Sequence, residues 1–193
     1  MNETKCSSCE VILQPYESVS LQIKNGHQLL CLKCYNNMMA EQFGIAFEHV
    51  SFNPITLKDN DGMNHTFSFR TRLLGDRVII DAIERLDDDK QGYELSIIGE
   101  VEEDLFDLFK VLFERIRRAL SKKHIEPCDI TRHRITQQDT VRGYITSNCN
   151  AIDDNPLLVI DGKEICWSEF GKMLSTYEGF NFKLEIFDKT EEK

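Results

Sequence analysis

The sequence predicts an α+β fold, and three observations lead to that expectation. Apolar and polar residues alternate in several short stretches, which are separated by Asn-Gly or Asp-Gly pairs typical of antiparallel hairpins. Residues 105–120 instead carry apolar side chains at helical spacing. Two C-x2-C pairs lie within the first 46 residues. We therefore expect an N-terminal four-cysteine module, followed by small antiparallel sheet plus helix units.

The composition is that of a globular protein with an acidic surface. Hydrophobic residues make up 41% of the chain, charged residues 29%, and the formal net charge is −10. Such a surface repels phosphate backbones and anionic membranes, so nucleic acid is a disfavoured partner and no membrane association is expected. The first residues lack the features of a secretion signal, and no apolar run approaches the length of a membrane span. We expect a cytoplasmic protein whose cysteines stay reduced.

The first predicted unit, residues 1–46, contains a hairpin and a short helix. Residues 19–23 alternate between apolar and polar, and the Asn-Gly pair at 25–26 indicates a tight turn. Residues 35–43 have helical spacing, and Gly44 is suited to end that helix. The expected order is a cysteine pair, a hairpin, the second cysteine pair and a helix.

The cysteine spacing predicts a metal site. The pattern is C-x2-C, 21 residues and C-x2-C. Two residues between thiols let one tight turn aim both sulfurs, and four thiolates complete a tetrahedron that leaves no position for water or substrate. A redox dithiol is expected in a βαβ context, which this sequence lacks, and an iron–sulfur cluster fits the long spacer less well than zinc does. We therefore predict one structural zinc ion, with ligands Cys6, Cys9, Cys31 and Cys34.

The double cysteine pair, with a hairpin between and a helix after it, resembles treble-clef zinc fingers, the group that includes LIM modules. In that group the last two ligands lie at the N-terminus of the helix, which matches Cys31 and Cys34 ahead of Tyr35. This resemblance covers residues 1–46 and implies zinc as the cofactor. The whole chain also resembles uncharacterised bacterial proteins in which such a finger precedes two small α+β segments, and this implies no activity.

The second predicted unit, residues 47–126, is a small sheet followed by a long helix. Asp61-Gly62 marks one hairpin turn, and the stretches RVIIDAIER and GYELSIIG supply two further strands. A stripe of apolar residues then predicts an amphipathic helix. Its members are Leu105, Leu108, Phe109, Leu112, Ile116, Ala119 and Leu120.

The third predicted unit, residues 140–188, follows a polar stretch at 127–139 that we interpret as a linker. Asp161-Gly162 indicates a hairpin, and Ser168 is suited to cap a helix that ends near Gly179. The alternating stretch FNFKLEIF, residues 180–187, predicts a returning strand.

Other residues give weaker indications of a site. His124, Cys128 and His133 fall within ten residues but match no standard ligand spacing, so chance clustering is the better account. Arg70 and Arg72 share a predicted strand face that could hold an anion, although a half-solvated strand has the same pattern. Cys166 is predicted to be a core residue of its strand.

These features favour a non-enzymatic zinc-binding protein whose finger serves protein–protein interaction in an unknown process. Met38, Met39 and Phe43 are candidates for the contact with a protein partner, or they pack inside the finger. One alternative is a nucleic-acid-binding or transcription-related regulator, although residues 1–50 carry three lysines against five glutamates. A second alternative is an enzyme with an unrecognised site between the second and third units, using acidic residues at 87–89 and 153–154. The sequence leaves the oligomeric state open.

Overall fold

The computed structural model describes residues 4–23, 26–86, 90–147 and 155–191. Helices and small antiparallel sheets occur together in this part of the chain, so the α+β class is confirmed. The helices are α1 (Leu32–Phe43), α2 (Leu105–Leu120) and α3 (Trp167–Leu174). Short 3-10 turns lie at Pro15–Glu17, Ser175–Tyr177 and Lys189–Glu191. Asn25, Cys149 and the acidic residues at 87–89 and 153–154 lie outside the described residues.

The strands form small sheets. In the first, β1 (Ser18–Ile23) pairs antiparallel with β2 (Gly26–Cys31). A four-stranded sheet has the order β3 (Ile55–Lys58), β4 (Asn64–Leu74), β5 (Arg77–Glu84) and β6 (Glu94–Glu100). A further pair consists of β7 (Ile125–Cys128) and β8 (Arg132–Ile135). In the last sheet, β10 (Leu157–Ile160) lies between β9 (Gly143–Thr146) and β11 (Lys163–Cys166).

The chain divides into two compact units. The first consists of Met1–Pro54, Ser68–Ala82 and Ser96–Leu112, and the second of Ile55–Phe67, Ile83–Leu95 and Phe113–Lys193. Strands β4, β5 and β6 and helix α2 contribute residues to both units. The division into residues 1–46, 47–126 and 140–188 stays a prediction.

In the first unit, the start of α2 packs against β4 through aromatic rings. The rings of Phe52 and Phe109 are stacked with their centroids 4.3 Å apart, and Phe69 meets Phe109 edge to face at 4.8 Å. Such pairs add roughly 1 kcal/mol beyond the apolar area that they bury. Leu108 and Leu112 on the same helix face are buried, as the apolar stripe predicts.

Also in the first unit, helix α1 is hydrogen-bonded to the backbone of β4. Strand β3 pairs with residues 64–67 of β4, and no strand within the described part of the chain pairs with the rest of that edge. The Asn36 amide nitrogen donates to the Thr71 carbonyl at 2.8 Å, and the Leu73 N–H donates to the Asn36 oxygen at 2.9 Å. Tyr35 Oη adds a bond to the Leu73 carbonyl at 3.0 Å. The Asn36 amide therefore replaces part of the missing strand.

The second hydrogen of the Asn36 amide is directed to His49. Asn36 Nδ2 lies 2.8 Å from His49 Nδ1, and His49 Nε2 lies 3.1 Å from Ser51 Oγ. Because the amide nitrogen is a donor, His49 must be neutral with its proton on Nε2. Burial, assisted by Lys33, lowers the pKa of His49 and favours this form. The side chain of Asn36, 0% exposed, thus has every polar group paired.

In the second unit, the predicted hairpin at Asp161-Gly162 is confirmed. Both residues have positive φ, 51° and 69°, as a tight turn between two strands requires. The Asp161 carboxylate accepts hydrogen bonds from the N–H groups of His124 and Ile125, at 2.7 and 2.8 Å, and so holds the start of β7. One apolar cluster of this unit consists of Ile125, Leu158, Ile160, Ile165 and Met173.

The prediction of a linker at 127–139 is wrong, because β7 and β8 form a hairpin there. Ile125 lies in the core and Ile135 packs against it. His133 is buried, with Nδ1 2.7 Å from the Glu169 carboxylate. The residues of this hairpin do not alternate between apolar and polar as a strand does. Contacts with other parts of the chain, rather than their own sequence pattern, therefore place them in strands.

Near the C-terminal end of the sequence, the predicted helix is present but its predicted cap and the predicted strand are wrong. Helix α3 begins at Trp167 after Cys166, not after a cap at Ser168, and it ends at Leu174, where the 3-10 turn Ser175–Tyr177 follows. Residues 180–187 form no strand, and their apolar side chains are exposed. The alternating pattern indicated a strand-like sequence but not whether a partner strand lies beside it.

We expect Asn36→Ala to lower the free energy of unfolding by about 2–4 kcal/mol, because it leaves buried backbone groups of β4 without partners. Urea denaturation at neutral pH measures this change. Asn37→Ala is the matched control, since Asn37 is the same residue type on the exposed side of the helix. Equal stability of the two variants would contradict a role for the amide in completing the sheet edge.

Candidate metal centre

The four cysteines of the two C-x2-C pairs come together in the structure. The sulfurs of Cys6, Cys9, Cys31 and Cys34 all lie within 4.8 Å of one another. The sulfurs of Cys9 and Cys31 are 3.8 Å apart. No other group of three or more histidine, cysteine or acidic side chains in the described residues is close enough to hold a metal ion. The cluster is compatible with a tetrahedral thiolate site.

A tight turn positions the first cysteine pair. The Cys6 N–H donates to the Val11 carbonyl at 2.9 Å, and the Glu10 N–H donates to the Cys6 carbonyl at 3.0 Å. Glu10 has φ 61°, a left-handed conformation that closes the turn. The Ser7 N–H reaches the Leu29 carbonyl at 2.8 Å, which ties this turn to β2.

The second pair lies where β2 passes into α1. Cys31 is the residue that caps the helix, and its sulfur accepts a hydrogen bond from the Cys34 N–H at 3.4 Å. The Cys31 N–H donates to the Cys6 sulfur at 3.3 Å, so backbone donors meet sulfurs of both pairs. These donors and the positive end of the helix dipole favour negatively charged sulfur.

Burial and neighbouring groups shift the pKa values of three of the thiols. Burial, with the other three sulfurs nearby, raises the pKa of Cys34 to about 12. Burial also raises the pKa of Cys31. For Cys6 burial acts in the same direction, but hydrogen bonds from backbone N–H groups outweigh it and lower the pKa to about 6. A divalent cation would offset part of the charge of four thiolates and displace the protons of Cys31 and Cys34.

A small apolar cluster supports the site. It consists of Cys6, Leu13, Leu30 and Tyr35, and Met38 and Met39 pack against it. Of the two possibilities left open for these methionines, the structure shows packing inside the cysteine module. Phe43 is instead 49% exposed.

The other sequence candidates do not assemble into a site. His124 Nδ1 lies 2.8 Å from the Thr140 carbonyl, and His133 is paired with Glu169. Arg72 is bound to Asp81 through two contacts of 3.1 and 2.7 Å, so it is not available to an anion.

Cys166, predicted to be a core residue, is exposed. It is the last residue of β11, and its sulfur lies 3.2 Å from Ser168 Oγ. Hydrogen bonds from the Ser168 side chain and the Glu169 backbone lower the pKa of its thiol. The strand ends at this residue, so the inward alternation of β11 does not extend to it.

A buried ionic cluster in the second unit escaped the sequence analysis. Lys123 Nζ lies 2.7 Å from Asp59 and 2.9 Å from Asp61. His65 lies between two buried carboxylates, 2.6 Å from Glu84 and 3.4 Å from Asp59. The hydrogen bond from Lys123 holds the pKa of Asp59 well below its ordinary range. The cluster joins the β3–β4 turn to the end of α2, and only the acidic turn before Gly62 hinted at it.

Three family models match successive parts of the chain. Residues 5–46 are similar to a domain of unknown function, DUF7685, residues 48–121 to DUF7686 and residues 124–191 to DUF7713, both also described as domains of unknown function. No curated protein and no solved structure matches the chain. Among the described residues, no helix has the length and apolar character needed to span a membrane.

We expect Cys34→Ser to lose a bound metal ion and to unfold the cysteine module, because the remaining sulfurs cannot complete a tetrahedron. Elemental analysis of the purified chain and circular dichroism measure both effects. Cys166→Ser is the matched control, since it removes a thiol outside the cluster. A Cys34→Ser variant that keeps one ion per chain and the wild-type fold would exclude this residue as a ligand.

We expect Lys123→Met to lower the free energy of unfolding by about 2–3 kcal/mol at neutral pH, because Asp59 is left buried and charged without its partner. Asp59 has a lowered pKa in the folded state, so the stability it contributes is present above its ordinary pKa of 3.8 and is lost as the pH falls below it. The difference from wild type should therefore shrink in acid. Lys122→Met, at an exposed position, is the control. A pH-independent difference would contradict this assignment.

Proposed function

We propose that this chain is a non-enzymatic zinc-binding protein in which Cys6, Cys9, Cys31 and Cys34 hold one structural zinc ion. The convergence of four sulfurs within 4.8 Å carries the proposal. Four thiolates are the donor set that zinc takes in closed structural sites, and such a site has no open position for catalysis. Zinc would supply stability that a module of this size lacks.

The order of elements supports a treble-clef, LIM-like finger. A tight turn carries the first cysteine pair, β1 and β2 form the hairpin, and α1 begins at the second pair. In this proposal zinc fixes the direction of α1 relative to the hairpin. The helix then presents Tyr35 and Asn36 to the edge of β4.

The finger serves protein–protein interaction in this proposal, and its exposed apolar side chains contact the partner. The inner face of α1 is already used by Tyr35, Asn36 and the packed methionines. Four other apolar side chains of the finger are 47–50% exposed, which suits a binding surface. They are Val11, Ile12, Ile23 and Phe43.

Charge favours a protein partner over nucleic acid. The net charge is −10, and several basic residues near the end of α2 are already engaged. Lys123 binds Asp59, Arg117 lies 3.2 Å from Glu114, and Arg115 donates to the Thr190 carbonyl at 3.2 Å. A phosphate backbone would have to compete with these contacts.

Affinity purification of the tagged chain from its own host, with and without nuclease, tests the proposed function. We expect a specific protein to be retained after nuclease treatment and to be lost with Ile12→Asp, which adds charge to the proposed contact surface. Ile12→Asp should keep its metal and its fold, because the side chain is half exposed. Ile130→Asp, at a site 92% exposed outside the finger, is the control.

Two results would overturn the proposed function. One is retention of nucleic acid, or of partners that disappear after nuclease treatment, which would favour a nucleic-acid-binding regulator. The other is a partner that Ile12→Asp and Cys34→Ser both retain as well as wild type does, which would place the contact outside the finger.

A further inference from the structure

Residues 181–187 have a strand-like sequence, but none of them belongs to a strand, and no strand among the described residues pairs with them. Apolar side chains at Phe180, Phe182, Leu184 and Ile186 are between 73% and 90% exposed. Polar residues alternate with them, and no residue of 181–187 belongs to a strand. A continuous set of exposed apolar side chains with an unpaired backbone is typical of a surface that another chain covers.

The segment is held at both ends. At its start, the Phe180 N–H donates to the Tyr177 carbonyl at 3.0 Å, and Tyr177 Oη donates to Asp139 at 2.8 Å. At its end, the Asp188 carboxylate accepts from the Thr190 N–H at 2.9 Å. Beyond it, Lys189 lies 2.8 Å from Glu94 and 4.2 Å from the centre of the Tyr144 ring. The free length is therefore limited to residues 181–187, whose midpoint is Leu184.

We propose that this segment pairs antiparallel with the same segment of a second copy of the chain, around a two-fold axis at Leu184. In this register Phe182 faces Ile186 of the second copy, and the two Leu184 side chains face each other. On the opposite face Lys183 lies beside Glu185 of the second copy, and the symmetric pair repeats the contact. Such a contact is isologous, since the same surface serves both copies.

The charges select this register. Moving the pairing by two residues brings Lys183 opposite Lys183 or Glu185 opposite Glu185, and like charges directly opposite each other are destabilising. Moving it by one residue places apolar side chains beside polar ones. Parallel pairing in register also places like charges side by side, Lys183 beside Lys183 and Glu185 beside Glu185. Of these arrangements, the antiparallel one centred on Leu184 pairs Phe182 with Ile186 and Leu184 with Leu184 on one face, and Lys183 with Glu185 on the other.

Within one copy, Lys183 Nζ and Glu185 already form an ion pair of 2.5 Å, so the two side chains point to the same side of the segment. In the proposed dimer these four charges form one alternating group. A two-stranded ribbon of this length is marginal by itself, so we expect a weak dimer that depends on concentration. The inference does not depend on the metal site or on the proposed function.

Analytical ultracentrifugation of the full-length chain over a range of concentrations tests the pairing. Lys183→Glu gives a segment with two acidic residues, and Glu185→Lys gives one with two basic residues. We expect each variant alone to dimerise about tenfold more weakly than wild type or worse, because two like-charge pairs replace two attractive ones. An equal mixture of the two variants should dimerise at least as well as wild type. The double variant Lys183→Glu/Glu185→Lys should also dimerise as wild type does.

Leu184→Asp removes the apolar centre and should abolish the dimer, whereas Ile130→Ser, at a still more exposed site elsewhere, should not change it. All these positions are exposed, so the monomer fold should be unaffected, as circular dichroism can verify. A wild-type chain that stays monomeric up to about 1 mM would overturn the proposal. So would a dimer that persists in both single charge variants, or a mixture of them that fails to associate.

Discussion

The first part of this fold depends on holding four thiol groups within 4.8 Å of one another. The apolar cluster around them is small, and one of its members, Cys6, belongs to the thiol group itself. Burial raises the pKa of Cys34 to about 12, so the sulfurs do not all carry charge together at neutral pH unless a cation is bound. The packing of this module is therefore coupled to the protonation of its thiols.

The cysteine cluster sets the direction of α1, and the direction of α1 decides which of its residues meet β4. Cys31 caps the helix, and two turns of backbone hydrogen bonds fix where the next residues point. The amide of Asn36 meets a carbonyl and an N–H of the strand in the geometry that a neighbouring strand would use. Hydrogen bonds are directional, and unpaired buried backbone groups are costly. A shift of α1 along the strand would leave both partners without their bonds.

Local signals in the sequence predicted much of the fold. The Asp61-Gly62 and Asp161-Gly162 turns, the long α2 and the helix stop at Gly44 follow from backbone preferences that neighbouring residues set by themselves. The convergence of the cysteines was also predictable, because the two-residue spacing has few other uses in a chain of this kind. What these predictions share is a short sequence pattern that indicates the structure without knowledge of the rest of the fold.

The features that sequence analysis missed all depend on contacts with residues far along the chain. In the sequence, nothing distinguishes Asn36 from other polar residues of a short helix, because its hydrogen-bond partners belong to β4. The β7–β8 hairpin depends on His133 meeting Glu169 and on Ile125 entering a core built from β10, β11 and α3. Lys123 and Asp59 are 64 positions apart in sequence, yet their side chains are 2.7 Å apart.

Residues 180–187 also show that a local pattern does not reveal contacts with distant residues, but here the predicted strand is absent from the structure. Alternation of apolar and polar residues expresses a preference for strand structure, yet no residue of 180–187 belongs to a strand. Strand formation also requires a second backbone, and nothing within a segment's own pattern states whether that backbone lies in the same chain. Where alternation is strong, the ends are anchored and the apolar side chains stay exposed, the missing strand is best sought in another molecule. The order of the charges then points to a copy of the same segment. Because Lys183 precedes Glu185, a second copy that runs in the opposite direction places its Glu185 beside Lys183 and its Lys183 beside Glu185.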